Sequence, residues 1–206
     1  MVWRLSIVSC VTNSVEGRRG TPKAGKRERL AAAAAQVFHE QGVEKTTIAD
    51  IARVADVPLG NVYYYFKTKD QLVEAALGAH AQTLQELITT LEQCDEPQDR
   101  LKALVRGWVD QRDRAVRFGC PTGTLASELG KRGDGLELAS AASIRTLLDW
   151  IERQFMAMGR VDARELAVAL FAAYQGISLL TNTFRDPELM VTEGHRLERW
   201  IDSLAP

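Results

Sequence analysis

The 206-residue chain has little of what metalloproteins, secreted scaffolds and enzymes are built from. It holds three cysteines (Cys10, Cys94, Cys120) and three histidines (His39, His80, His195), all far apart. No metal-ligand spacing and no disulfide framework can be assembled from them, so no metal and a reduced, cytoplasmic setting are expected. There is no glycine-rich phosphate loop, no pair of metal carboxylates and no Glu-x-x-His. No serine or cysteine is marked as the partner of a histidine base, so catalysis and a cofactor are not expected. No apolar run approaches membrane-spanning length, and no membrane partner is expected. Strand-like alternation and internal repeats are absent, which leaves an all-α fold. Net charge of either sign is also missing, at −1 overall. Its distribution is uneven, however. Residues 1–69 carry 11 Lys+Arg and 6 Asp+Glu, a surplus of +5, and residues 70–206 carry 15 and 21, a deficit of −6. A basic head on an acidic body fits one nucleic-acid face on a protein otherwise kept off DNA.

Residues 1–25 do not read as fold. The apolar run from Val2 to Val11 is short and preceded only by Arg4, which does not make an export signal. Asn13 to Lys26 is expected to be flexible. Arg18, Arg19, Lys23, Lys26 and Arg27 form a basic arm there, either a solvated tail or an arm for phosphates or the minor groove.

The informative stretch is TTIADIARVADVPLGNVYYYFKTKDQL, Thr46 to Leu72. Thr46 or Thr47 can cap a helix N-terminus. Ile48, Ile51, Ala52 and Ala55 then share one helical face. Asp56 tolerates the backbone of a tight turn, and Pro58 suits the start of a second helix running to about Tyr65. Two helices of about two turns joined by a short turn make a helix-turn-helix. Leu59, Gly60 and Asn61 open the second helix, where base edges are met in such motifs. Tyr63, Tyr64 and Tyr65 cannot all share one helix face, so at least one is exposed. A phenol offers a flat body to thymine methyls and a hydroxyl to phosphate. Lys67 and Lys69 flank Thr68, the cap of a third helix, where a phosphate would relieve their clash with the helix dipole.

With these residues in view, the stretch resembles the DNA-binding motif of the TetR family of one-component transcriptional regulators. The matching positions are Thr47, Ile48, Ile51, Ala52, Val57, Gly60, Val62, Tyr63, Tyr65, Phe66, Lys69 and Leu72, and the likeness extends back over Lys26 to Val43. Where the family often has Gly and Ser or Thr, this chain has Asp56 and Pro58, both turn-compatible. The resemblance implies an N-terminal three-helix DNA-binding domain (26–72) and a C-terminal helical ligand-binding and dimerisation domain (73–206). It also implies a homodimer on double-stranded DNA, usually a palindromic operator, and a small-molecule effector. Thr47, Tyr65 and Lys69 match family positions that touch phosphate; Leu59, Gly60, Asn61 and Tyr63 match positions at or near base edges.

The body reads as a series of helices: Thr68 to about Cys94, Gln98 to Phe118, Thr122 to Leu129, Leu136 to Met158 (Leu138 among its inward residues), Val161 to Phe184, and Pro187 to Leu204. Trp108, Phe118, Leu125, Trp150, Phe155, Phe171 and Tyr174 suit an apolar effector cavity with polar fixing groups at Arg112, Gln175, Ser178 and Asn182. Each of these aromatics also suits an ordinary core. Cys120, in Phe118-Gly119-Cys120-Pro121, reads either as a small buried hydrophobe or as an oxidant sensor joined to that site. Control by a protein partner is a further alternative. The helix from Val161 is apolar around most of its circumference, and Gly176 there suits a close backbone approach. The family pairs its last two long helices with their copies. That assigns Leu170, Gly176, Ile177, Leu180, Phe184, Leu197, Trp200 and Ile201 to a dimer interface.

Overall fold

A computed structural model describes residues 25–204, and the basic arm as far as Lys23 lies outside them. Among the described residues the fold is all-α, with ten helices and no strand. These are α1 (Lys26–Gln41), α2 (Ile48–Val54), α3 (Leu59–Tyr65), α4 (Lys69–Leu91) and α5 (Pro97–Asp110), followed by α6 (Arg112–Phe118), α7 (Pro121–Leu129), α8 (Leu136–Ala157), α9 (Ala163–Phe184) and α10 (Glu188–Ser203). They cluster as two compact units. Among the described residues, one takes 25–83 together with Pro121–Ser143. The other takes Leu84–Cys120 and the chain from Ile144 onward. Helices α4 and α8 therefore contribute residues to both.

In the first unit, the expected stripe of α1, Leu30, Ala33, Ala34, Val37 and Phe38, is buried. It packs with Ile51 and Ala52 of α2, Val62 of α3, Phe66, and Leu72, Val73 and Ala76 of α4. Leu125 and Leu129 of α7 and Leu136 of α8 complete the same core. Burying each leucine contributes on the order of 1.5–3 kcal/mol, so α7 is a structural member of this unit.

In the second unit, α5 and α10 lie side by side, with Leu101, Leu104 and Trp108 facing Leu197 and Ile201 in one core. Gly194 makes that approach possible. A Cβ there would fall 2.4 Å from Val109 Cγ2, a distance packed atoms do not tolerate. Polar contacts fix the register: Lys102 reaches Asp202 at 3.0 Å and Arg106 reaches Glu198 at 2.6 Å. Helix α9 packs on α6, where the Asn182 amide donates to the Val116 carbonyl at 3.0 Å. Arg185, left-handed at φ 57, closes α9 and donates to the Val116 and Arg117 carbonyls.

Three expectations are corrected. The single helix expected over Gln98 to Phe118 breaks at Gln111 (φ −87, ψ 5), where the Gln111 N–H turns back to the Trp108 carbonyl. Leu138, read as inward, is 63% exposed. By length and composition α9 could cross a membrane, where no apolar run of that length was expected. It carries the polar residues Gln175, Ser178 and Asn182 and packs along one side on α6 and α10.

Candidate nucleic-acid interface

The helix-turn-helix is built by local hydrogen bonds. Thr47 caps α2: its hydroxyl accepts the Asp50 N–H at 3.2 Å, and the Asp50 carboxylate accepts the Thr47 N–H at 3.1 Å. The two residues satisfy each other in a reciprocal capping box. Asp50 is held below the usual carboxylate range chiefly by its bond to the Thr47 hydroxyl, then by the Thr47 backbone, with a smaller part from Arg53. Ile51, Ala52 and Ala55 are buried and Ile48 half-buried, which seats α2 on the core. Asp56 takes a left-handed backbone at φ 51, and the Val57 N–H bonds back to Ala52 O at 3.0 Å. Pro58 stands at the cap of α3, one residue before the helix proper.

Only Val62 of α3 is fully buried, and it pins the helix. The rest of α3 is presented outward. Tyr64 is 77% and Tyr63 47% exposed, and Leu59 and Gly60 are open as well. A Cβ on Gly60 would meet nothing within 4 Å, so an incoming surface can approach the backbone there. Asn61 is half-buried. So is Tyr65, whose ring stands edge-on to Tyr64 with centroids 4.9 Å apart. Beyond α3, the Thr68 hydroxyl accepts the Gln71 N–H at 3.2 Å, the cap expected for α4. The Lys67 ammonium donates to the Tyr63 carbonyl, and its N–H to Gln71 Oε1 at 2.7 Å. Lys69 donates to the Glu44 carbonyl at 3.1 Å. Thr46 differs from the others. It is buried, and its hydroxyl donates to Gly42 O at 2.6 Å, so it holds the α1–α2 turn.

A member of this unit that sequence reasoning missed is Glu128 of α7. Its carboxylate accepts the N–H groups of Val43 and Glu44, each at 2.9 Å. These partners lie more than eighty residues away in sequence, and no spacing rule points to them.

The effector candidates fall in two places. Leu125 belongs to the core of the first unit. In the second unit, Trp108 stacks on Tyr174 at 4.2 Å with rings 12° apart, and Phe171 lies 6.2 Å from Tyr174. The Gln175 amide donates to Cys120 Sγ at 3.4 Å. Burial pushes the Tyr174 phenol well above its ordinary range, and the neighbouring Cys120 thiol adds to this. The Ser178 hydroxyl is buried and makes no hydrogen bond. Trp150 donates to Glu92 at 3.2 Å, and Phe155 sets its ring edge toward Trp200 at 6.0 Å; both are fully buried in the same core. Arg112 bonds to the Val109 carbonyl and Phe118 sits under the Arg117 guanidinium. The structure thus gathers Trp108, Cys120, Phe171, Tyr174 and Gln175.

The dimer candidates divide similarly. Gly176, Leu180 and Phe184 form an exposed face of α9 together with Val168 and Leu179, and Phe184 is 66% exposed. Ile177 and Trp200 are half-buried. Leu170, Leu197 and Ile201 lie inside the unit's own core, filled by neighbours from the same chain, and are not surface residues. No grouping of His, Cys, Asp and Glu able to hold a metal occurs among the described residues.

Known proteins share this arrangement. Residues 30–76 match the profile described as bacterial regulatory proteins, tetR family. The HTH-type transcriptional regulator TtgR of Pseudomonas putida is 29% identical over 86% of this chain and 88% of its own. The probable regulator ArpR of the same organism is 28% identical over the same shares. Among solved structures, a TetR transcriptional regulator from Legionella pneumophila superposes with a TM-score of 0.78 over 90% of this chain and 100% of its own, at 15% identity. One from Chloroflexus aurantiacus gives 0.76 over 86% and 94%, at 24% identity. At those identities the structural likeness speaks for the fold.

Proposed function

Because the chain belongs to the TetR family of transcriptional regulators, we propose that it is a cytoplasmic repressor binding a palindromic operator as a homodimer and released by a small-molecule effector. The observation that carries this reading is the outward display of α3, with Tyr63 and Tyr64 exposed and Gly60 unobstructed. Residues 26–72 read DNA, and 73–206 bind effector and pair with a second copy. Lys69, Tyr65 and Thr47 take phosphates, with Tyr64 and Lys67 beside them. Leu59, Gly60, Asn61 and Tyr63 meet base edges. Two copies pair through α9 and α10 and hold their α3 helices about 34–36 Å apart, one turn of duplex.

The effector is an apolar compound at Trp108, Phe171 and Tyr174, oriented by Gln175 and Ser178. It acts only if it prefers the state that does not fit the operator. Lys69→Ala is expected to weaken binding to all sequences and to lower the salt slope by about one. Asn61→Ala is expected instead to relax base preference at one position, about 1–3 kcal/mol. Equal behaviour of the two variants in salt titrations against matched and mismatched duplexes would contradict these roles.

A further inference from the structure

We infer that Glu128, on the seventh helix, is a positioning residue for DNA recognition, although it lies far from the helix-turn-helix in sequence. The inference rests on the function proposed above. The turn between α1 and α2 must hold its shape if α2 and α3 are to be presented correctly, and beyond the bonds of Thr46 to Val43 O and Gly42 O it needs acceptors for its N–H groups. Glu128 supplies them: one carboxylate oxygen accepts Val43 N–H and the other Glu44 N–H, both at 2.9 Å. Two hydrogen bonds to one ionised carboxylate are of the stronger, charge-assisted kind. The turn is built to receive that carboxylate. Gly42 sits at φ +83, a backbone that favours glycine, and a Cβ there would stand 3.3 Å from Glu128 Oε2.

The same turn is held from its other side, where Lys69 donates to the Glu44 carbonyl at 3.1 Å. The carrier of Glu128 is itself fixed. Leu125 and Leu129 bury α7 in the core that seats α1, α2 and α3. Just beyond α7, Arg132 reaches Asp70 in the first turn of α4 at 2.6 Å. Glu128 and Arg132 thus tie the α1–α2 turn and the start of α4 to one distant segment, and Lys69 ties the turn to α4 directly. The Glu128 carboxylate faces the Val43 and Glu44 N–H groups, so it acts on DNA binding through the turn.

Glu128→Gln tests this in the full-length chain. It keeps size and shape but replaces one acceptor oxygen by an NH2 group facing a backbone N–H. Amide hydrogen exchange at Val43 and Glu44 is expected to accelerate at least about tenfold, as a lost hydrogen bond of about 1.4 kcal/mol implies. Exchange at Leu101 and Leu104, in the other unit's core, should stay unchanged. Affinity for a duplex selected by the wild-type chain should fall by about tenfold while the salt slope stays the same, because no phosphate contact is lost. Arg132→Gln should give a smaller loss of affinity in the same direction.

Unchanged exchange at Val43 and Glu44 would overturn the contact. Faster exchange with unchanged duplex affinity would overturn the positioning role. If the substituted chain failed to fold, slow exchange at those two amides in the wild type and weakened binding by Arg132→Gln would still support it, and fast wild-type exchange would overturn it. A wild-type chain that selects no duplex defeats the regulator reading, whereas equal binding by wild type and Glu128→Gln defeats only this inference.

Discussion

Helices α3 and α9 both leave large side chains in solvent, and the company those side chains keep is opposite. On α3 the exposed large side chains are Leu59, Tyr63 and Tyr64, the two tyrosines each ending in a hydroxyl, with Lys67 and Lys69 following. On α9 they are Val168, Leu179, Leu180 and Phe184, with Ala172 and Gly176 on the same face and no charge between Glu165 and Arg185. Aromatic surface bearing hydroxyls and cations suits a polyanion with flat bases. Apolar surface of small and branched residues suits another protein surface of the same kind, and scattered single exposed apolar residues would need no such explanation. Length reinforces the contrast. Seven residues of α3 cannot hold themselves as a helix and depend on the burial of Val62; twenty-two residues of α9 give a face long enough for a partner helix. The function proposed above gives DNA to the first and a second copy of the chain to the second.

The most severe way to break this comparison is to charge the face of α9. Leu180→Asp combined with Phe184→Asp is expected to convert the protein to a monomer in sedimentation velocity and to lower operator affinity by about 10²–10⁴, the range lost when two linked sites become one. Both residues are exposed in the single chain, so the helical circular dichroism signal should remain. A charged variant that still sediments as wild type would give α9 no role in pairing.

Truncating a tyrosine of α3 sharpens the other side. Tyr63→Ala should weaken binding to the selected duplex by roughly 5–150-fold, about 1–3 kcal/mol. Global stability should shift by no more than about 0.5 kcal/mol, as for other surface positions. Loss of stability with unchanged DNA binding would make Tyr63 a packing residue.

Gly176→Ala separates the two fates of α9 within one substitution. In the single chain a Cβ at this site meets nothing within 4 Å, and alanine favours helix over glycine by about 1 kcal/mol. Stability at low protein concentration should therefore rise by that amount, while the dimer should weaken if two backbones approach at this glycine. Stabilisation at every concentration would place the contact elsewhere on the face.

The smallest effect concerns the tyrosine on the buried side of α9. The folded Tyr174 holds its proton above the ordinary tyrosine range, so above about pH 10 the unfolded chain loses a proton that the folded chain keeps. Stability must then fall as pH rises through that window, and this part of the fall should be absent in Tyr174→Phe. Identical urea midpoints against pH for the two proteins above pH 10 would contradict the burial of this phenol.

Much of the first unit was legible because its pattern is local. The spacing of Ile48, Ile51, Ala52 and Ala55, the Asp56–Pro58 turn and the Thr68 cap each act over a few residues, so they can be read along the chain. The break at Gln111 could not be read, because Arg112-Asp113-Arg114 contains no glycine or proline to mark it. Leu125 was grouped with the effector candidates as one apolar residue among successive body helices, whereas it packs with α1 and α2, far back in the sequence. Glu128 was silent for the same reason: one carboxylate among many on helices, distinguished only by the two backbone groups it meets. Leu170, Leu197 and Ile201 were given to the interface through the family's pairing of its last two helices, and an apolar stripe does not say whether its neighbours come from the same chain.

The most direct measurement is selection of bound duplex from a random pool by the full-length chain, followed by sedimentation of the complex formed with the winning sequence. The expected result is an inverted repeat with half-sites about 10–10.5 base pairs apart, centre to centre, and two chains per duplex. No enrichment at low salt, or a single chain on a site without inverted symmetry, would contradict it.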